Sequence, residues 1–375
     1  MGPSTVTGGG PFLFPGHHAN VSLQASHPCF SESEFMDNFL RIRLLAALVA
    51  GLGACGIAHA VEGGGSNYLL GMKGPLAAFV PKPGVYLTNN VFYYDAGRDN
   101  LTPIGNRLVG DISANALMNI AQFSWVTEQT LGGGRLAFSG VLPYGNIEVS
   151  GNVVRGGASI HASDSVTAFG DPAVGGSVGW KNRDGDEFRA WSVYGSVFFP
   201  VGDYELGRLA NLGKNRWASD IGAAFTMANF AGGREFSAVL GFTFNGENPD
   251  THYNSGNEMH LEMAAKQYLP NHFSFGIVGY WNQQLTADSG GPALLGDFKG
   301  RVFGIGPELS YQFAGSKEHP VTLDLRWYHE FGAQNRVEGD AVFFTLSVPL
   351  SITSKPPAGV DWSAAEQASQ SGGSQ

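Results

Sequence analysis

Twelve stretches of roughly ten residues, most of them alternating apolar and polar side chains, lie between Gly84 and Leu350. Short and long connections alternate between these stretches along the whole chain. The short connections are 131–134, 182–187, 230–234, 269–272 and 314–320, and the long ones are 95–107, 154–168, 200–214, 245–255, 285–300 and 331–338. A transmembrane β-barrel has short periplasmic turns and long outer loops. The pattern therefore predicts an all-β fold, an up-and-down antiparallel transmembrane β-barrel of outer-membrane type with about 12 strands and both termini at the turn side.

Composition supports a barrel over the other membrane and soluble classes. Charged residues make up only 14 % of the chain, whereas soluble domains average about 25 %. The mean hydropathy is −0.06, and no apolar run reaches about 18 residues outside 36–60, which excludes a helical membrane bundle. A Gly-rich β-sandwich or jelly roll is the soluble alternative, although it does not explain long loops at one end only. A net charge of −10 without a Lys/Arg cluster excludes nucleic acid as a partner.

The first 60 residues contain an export signal that begins at an internal methionine. Residues 1–35 have no secretory pattern and are interpreted as a mis-assigned upstream extension or a disordered segment. From Met36 onward, a basic stretch, an apolar stretch and the A-x-A motif of Ala58 and Ala60 follow one another. That order is typical of a signal peptide, so residues 36–60 are predicted to be removed and Val61 to begin the mature chain.

Both cysteines, Cys29 and Cys55, precede this cleavage site. The mature chain would then have no disulfide, no thiol catalysis and no cysteine metal site. Residues 52–55 also match a lipoprotein cleavage box, which leaves lipidation of Cys55 as an open alternative.

The mature chain divides into three predicted parts. Residues 61–82 are apolar but interrupted by Gly and Pro, and form either a plug inside the barrel or a periplasmic lead-in. Residues 83–350 form the barrel. Residues 351–375 are rich in Ser, Pro, Ala, Gln and Gly, a composition that buries no core, and are predicted to be a disordered periplasmic tail.

Alternation along the strands separates a lipid face from a water face, because neighbouring side chains on a strand point to opposite sides. In 235–244, 256–268 and 321–330, apolar residues take one phase and polar residues the other. In 111–120 the run from Ile112 to Ile120 is predicted to face lipid, which places Asp111 in the lumen. The candidates for the lumen and its selectivity are Asp111, Asp220, Glu258, His260, Glu262, Lys266, Glu308, Asp324, Arg326, Tyr328 and Glu330.

These lumen candidates allow two interpretations. An acidic lumen would repel anions and admit neutral or cationic solutes. Alternatively, the charges pair with one another and fill the interior, since twelve strands lie between filled eight-stranded barrels and open 16-stranded porins.

The sequence does not support a catalytic or metal site. Glu258, His260 and Glu262 point the same way, but alternate residues on a strand lie about 6.6–7 Å apart, whereas zinc needs three or four convergent ligands. The chain has no G-x-S-x-G motif and His260 has no assignable serine partner. We therefore predict no catalytic residue, no metal and no cofactor. A lipid-acting barrel enzyme remains the third alternative, because the fold alone does not define function.

Several distinctive segments resemble one known family. They are 61–69 (VEGGGSNYL), 208–217 (RLANLGKNRW), 248–258 (NPDTHYNSGNE), 295–307 (LGDFKGRVFGIGP) and 327–339 (WYHEFGAQNRVEG). From about Val61 to Leu350, the chain resembles the MetA-pathway phenol-degradation family. The resemblance implies a barrel in the outer membrane of Gram-negative bacteria that supplies aromatic or other hydrophobic compounds to degradation, not a catalytic step.

The resemblance is densest in outer loops, where Arg208, Asn211, Lys299 and Arg301 lie in or beside the matching segments. In a channel of this kind, such loops would capture the solute from outside, or simply close the mouth of the barrel. The implied partners are outer-membrane lipid and small hydrophobic or aromatic solutes. A plugged barrel with a structural or interaction role is the runner-up to a channel.

Overall fold

The computed structural model describes residues 65–99, 102–104, 107–155, 158–229, 231–290, 299–313 and 320–352. The predicted signal peptide with its cleavage site, Cys55 and the predicted tail beyond residue 352 lie outside these residues. Within the described part of the chain, no helix is long and apolar enough to span a membrane.

Most of the described residues form β-strands. The strands are β1 (Gly84–Arg98), β2 (Thr102–Ile104), β3 (Arg107–Leu131), β4 (Gly134–Arg155), β5 (Ala158–Phe169), β6 (Ala173–Asp184), β7 (Glu187–Phe198), β8 (Ala218–Asn229), β9 (Arg234–Asn245), β10 (Glu247–Asn248), β11 (Tyr253–Asn254), β12 (Glu258–Tyr268), β13 (Phe273–Gln284), β14 (Ser289–Gly290), β15 (Arg301–Phe313), β16 (Val321–Gln334) and β17 (Glu338–Ile352).

Twelve of these strands close into an antiparallel barrel, as predicted. The order around the ring is β1-β3-β4-β6-β7-β8-β9-β12-β13-β15-β16-β17, and β17 pairs with β1. The register is continuous through Pro143, which pairs with Ile120. Strand β5 extends the wall along β4, whereas β10, β11 and β14 form a separate small sheet.

The connections separate the barrel into a turn end and a loop end. Tight turns join β3 to β4, β6 to β7, β8 to β9 and β12 to β13 at the turn end. Gly132 and Gly133 adopt φ values of 56° and 78° in the first of these turns, a conformation that glycine accepts without strain. The loops 199–217 and 246–257, and the described residues 285–290 and 299–300, lie at the opposite, loop end.

Two of the predicted long loops are wrong, and a third, 95–107, is partly strand, because β1 runs to Arg98 and β2 pairs with β3. Region 154–168 is mainly strand, because β4 runs to Arg155 and β5 pairs with it from Ala158 onward. Region 331–338 is a short turn, since β16 continues to Gln334 and β17 begins at Glu338. Both regions hydrogen-bond into the sheet instead of leaving it.

Most strands place their side chains as predicted. On β9, Phe236, Leu240 and Phe244 point outward and are 37 %, 41 % and 43 % exposed, while Glu235 and Thr243 are buried inside. Apolar residues thus face the lipid side and polar residues the interior, as expected for a membrane barrel.

Strand β3 has the opposite phase from the prediction. Ile112 and Ile120 are buried inside, and the outward positions are taken by Leu117 and Trp125, which are 54 % and 56 % exposed. Asp111 is therefore exposed on the outer side and is not a lumen residue. A register shift between Gly110 and Ser113, with Asp111 at φ 48°, marks the irregularity at this point.

Two segments outside the barrel wall fill its interior. The N-terminal segment, residues 65–83, packs Tyr68 and Leu70 against the inward side chains of β1, β13 and β17, and Ala78 against β7 and β9. The inserted loop, residues 199–217, packs Leu209 and Ala210 against β3 and β4 near the loop end. Because both segments contact inward-facing residues, much of the described interior is packed, and the space between the two segments is described below.

Candidate functional site

Buried carboxylates on the barrel wall hold the N-terminal segment. Glu262 on β12 accepts hydrogen bonds from the Tyr68 hydroxyl at 2.6 Å and from the Lys73 amide at 3.1 Å. Glu235 on β9 accepts the Leu76 amide and the Tyr268 hydroxyl. These charge-assisted bonds satisfy backbone donors of a segment that has no strand partner.

Arg326 on β16 holds the same segment from another side of the barrel. Its guanidinium donates to the carbonyl oxygen of Gly71 at 2.6 Å and lies 2.7 Å from the Asp324 carboxylate. A second nitrogen donates to the Thr345 hydroxyl at 3.0 Å. Tyr328 also donates to Gly71, at 3.3 Å.

His260 forms a buried network with two neighbouring strands. Its Nε2 lies 2.9 Å from the Asp220 carboxylate, which also accepts the Thr243 hydroxyl at 2.8 Å. The Tyr68 ring stacks on the imidazole with centroids 3.7 Å apart. No group of three or more His, Cys, Asp or Glu residues in the described chain is arranged to hold a metal ion.

The remaining lumen candidates form pairs on the inner wall. Lys266 donates to Glu308 at 2.6 Å. Glu330 accepts the hydroxyls of Tyr94 and Tyr280 at 2.7 and 2.8 Å.

Glu258 accepts the side-chain amides of Asn245 and Asn282 at 3.3 and 3.1 Å. Every lumen candidate except Asp111 therefore points inward. Lys266 with Glu308 and Arg326 with Asp324 form charge pairs, whereas Glu258 bonds neutral amides.

A cavity of about 220 Å³ lies inside the barrel between the N-terminal segment and the inserted loop. Tyr68, Leu69 and Leu70 form its floor. The wall is largely apolar and includes Phe92, Ile112, Ala114, Ala116, Met118, Ile147 and Val149 from β1, β3 and β4. Leu206 and Leu209 of the inserted loop form the roof. A concave, largely apolar space with a few polar groups is the usual form of a small-molecule site.

Two aspartates fix the inserted loop above this cavity. Asp164 on β5 binds the Arg208 side chain at 3.3 Å and accepts the amides of Leu209 and Ala210 at 3.1 and 3.2 Å. Asp171, which follows β5, accepts the amides of Gly202 and Lys214 at 2.9 and 2.7 Å. The roof is therefore attached to the wall at both of its ends.

The predicted loop residues lie in different places. Arg208 and Asn211 line the cavity, and Asn211 also bonds the backbone of Glu205. Lys299 contributes a carbonyl oxygen to the Asn335 side chain at 3.4 Å, and Arg301 begins β15 with its guanidinium above the Phe303 ring. Arg208 and Asn211 are thus near the cavity, whereas neither Lys299 nor Arg301 is among its lining residues.

The small sheet at the loop end is organised around another buried carboxylate. Asp288 accepts hydrogen bonds from the Tyr253 hydroxyl, from the Gly256 amide at 2.7 Å and from the Gln284 side chain at 2.6 Å. Burial raises the pKa of Asp288 to about 6 despite these bonds.

Sequence reasoning did not identify the cavity or its lining. Ile112 and Ala116 were assigned to the lipid face, and Arg336 was placed in a long loop. The available signal was the second apolar phase of β3, where Leu117, Phe123 and Trp125 alternate with the inward residues. A strand that is apolar on both faces indicates an apolar interior as well as an apolar exterior.

The closed twelve-stranded ring, its apolar outer band and its packed interior define a membrane β-barrel of the outer-membrane type. Residues 97–346 match the family described as "Putative MetA-pathway of phenol degradation". The chain belongs to this family, which confirms the resemblance noted in the sequence.

A solved structure with the same fold is an outer-membrane channel. The chain is similar to the COG4313 outer membrane channel from Pseudomonas putida F1, with a TM-score of 0.54 and 12 % identity over 75 % of this chain and 99 % of that one. A Pseudomonas aeruginosa FadL homologue aligns with a TM-score of 0.35 and 12 % identity, covering 78 % of this chain and 98 % of that one. No curated protein sequence is significantly similar to this one. The barrel thus resembles Gram-negative outer-membrane channels in fold.

Proposed function

We propose that this protein is an outer-membrane channel that takes up aromatic or other small hydrophobic molecules for degradation, and that it is not an enzyme. The family supports a link to phenol degradation, and the fold supports the outer membrane as its location. With short turns on the periplasmic side, the cavity lies toward the cell exterior.

The apolar cavity is the observation that carries the proposal. Its inward residues on β3, such as Ile112 and Ala116, would have no reason to be apolar in a water-filled pore. Engineered apolar cavities of about 150 Å³ bind benzene. A cavity of about 220 Å³ is therefore large enough for one substituted aromatic ring. Outer-membrane lipid surrounds the barrel, and the solute occupies its interior.

Filling the cavity should test the proposal. In Ala116→Phe the new ring would occupy the cavity, whereas in Leu117→Phe it would point outward into lipid. We expect cells that depend on the protein to take up naphthalene at low concentration with the wild type and with Leu117→Phe, and to lose this uptake with Ala116→Phe. Both variants should retain the heat-resistant gel migration of a folded barrel. Equal uptake by both variants, or by cells without the protein, would contradict the proposal.

A second candidate function is a permanently closed barrel with a structural or interaction role. The observation that favours it is the number of bonds from Glu262, Glu235 and Arg326 to the N-terminal segment. Planar bilayers distinguish the two functions. Stepwise conductance with the purified protein supports a channel, and its absence, together with absent naphthalene uptake, supports the closed barrel.

A further inference from the structure

The charged side chains that line the cavity are mainly cationic. Among the described residues they are Arg208, Lys214, Arg216, Arg336 and the single carboxylate Glu330. This composition differs from the acidic lumen expected from the sequence, because Glu235, Glu258 and Glu262 are not among the lining residues. The cavity is therefore an apolar space with a cationic border.

The one lining carboxylate is already occupied by other donors. Glu330 accepts Tyr94, Tyr280 and the Gly339 amide, the last at 3.2 Å. Its Oε1 lies 3.7 Å from Arg336 Nη2, which is longer than a hydrogen bond. Glu330 therefore lowers the local positive charge without using the donors of Arg336.

Arg336 retains unused hydrogen-bonding capacity in a buried position. Its side chain is only 11 % exposed. Its hydrogen bond to the Asn282 side-chain oxygen is 3.5 Å long, and its Nε has no partner among the described residues. A guanidinium carries five donors in a planar fork that matches a carboxylate. A buried cation with unsatisfied donors is costly, and an anionic ligand would remove that cost.

Lys214 brings a second cation to the same space. Its Nζ lies 3.4 Å from the position that a Cβ on Gly65 would occupy, at the floor of the cavity. The backbone amide of Lys214 is held by Asp171, which fixes the residue that carries this ammonium. Arg208 also lines the cavity and is paired with Asp164.

We infer that the cavity binds amphipathic anions, namely small aromatic carboxylates, with the ring among the apolar residues of β3 and β4. The carboxylate would lie toward Arg336 and Lys214. The inference rests on the proposed function and specifies the substrate class of the same site. Neutral aromatics would occupy the apolar part alone and bind more weakly.

Binding of two matched ligands to the full mature protein in lipid nanodiscs tests the inference. The probes are 4-propylbenzoate and 4-propylbenzamide, which share shape and apolar area but differ in charge. We expect the wild type to bind the benzoate about tenfold more tightly, the effect of one charge-assisted hydrogen bond. Arg336→Gln should lose most of this preference while keeping the affinity for the benzamide, which also shows that the cavity remains folded. Arg189→Gln, at an exposed position near the turn end, is the control and should behave as wild type.

The outcomes separate this inference from the proposed function. Equal binding of both probes to the wild type would overturn the anion preference and leave the hydrophobic channel intact. A preference that persists in both Arg336→Gln and Lys214→Met would overturn the assignment of these cations. Binding of neither probe would contradict the proposed function itself, and the inference with it.

Discussion

Replacement of Glu262 by leucine should loosen one part of the N-terminal segment without unfolding the barrel. Glu262 is buried on the inner face of β12 and accepts the Tyr68 hydroxyl and the Lys73 amide, which lie 194 and 189 residues away in sequence. These two hydrogen bonds join the Glu262 side chain to the N-terminal segment. The backbone hydrogen bonds of β12 to β9 and β13 do not involve this side chain, so they should persist in the variant.

The expected magnitude follows from those two bonds. A hydrogen bond to a charged group contributes about 1.5–3 kcal/mol, so the pair contributes at least about 3 kcal/mol to holding residues 68–73 in place. That value corresponds to more than about a hundredfold in the equilibrium between the bound and the released segment. Residues 76–78 should remain held, because Glu235 and Thr226 still accept the amides of Leu76 and Ala78.

Amide hydrogen exchange measures this directly, since exchange of a protected amide reports local opening. We expect the Lys73 amide to exchange about a hundredfold faster in Glu262→Leu, with Leu76 unchanged as an internal control. Glu258→Leu is the matched variant, because Glu258 is buried on the same face of β12 but bonds only Asn245 and Asn282. If Lys73 exchanges equally in both variants, or is as slow as in the wild type, the reasoning about Glu262 is refuted.

Three further predictions concern other parts of the molecule. Leu240→Arg should impair assembly in bilayers, because a charge on the lipid face costs about 2–4 kcal/mol near the midplane. Val201→Arg, at a loop position that is 71 % exposed, should assemble normally. Heat-resistant migration on gels measures the assembly of both variants. Because the pKa of Asp288 is raised to about 6, its stabilising contribution is present below its usual pKa and is lost as the pH rises through about 6. The protection factors of residues 253–256, which correct for the intrinsic pH dependence of exchange, should therefore fall between about pH 4 and about pH 6, the window between the usual and the raised pKa, and Asp288→Asn should remove this fall. N-terminal sequencing of the exported protein should find Val61 first, and an acylated Cys55 would establish the lipoprotein alternative.

The barrel was predictable where each strand has one apolar and one polar face. Strand β12 is such a case: Glu258 and Lys266 face inward and Met263 outward, so alternation alone assigns both faces. Strand β3 is different, because Ile112 faces an apolar cavity while Leu117 faces lipid. Alternation does not distinguish an apolar interior from an apolar exterior, and Asp111 was misplaced for that reason.

The cavity required contacts that sequence patterns do not encode. Strand β5 resembles a loop in sequence because His161, Ser163 and Ser165 point outward, and only its pairing with β4 identifies it as strand. Arg336 reaches the cavity because the β16–β17 turn is short. The positions of the N-terminal segment and the inserted loop depend on single hydrogen bonds between residues far apart in sequence, such as Tyr68 with Glu262.

The central claim is that a small aromatic molecule occupies the cavity inside the barrel. A crystal of the mature protein soaked with iodobenzene tests it directly, because anomalous scattering locates the iodine. We expect a peak among Ile112, Ala116 and Leu209, below the inserted loop, and no such peak in crystals of Ala116→Phe. Iodine found only on the outer surface of the wild-type barrel, or in an unchanged position in Ala116→Phe, would contradict it.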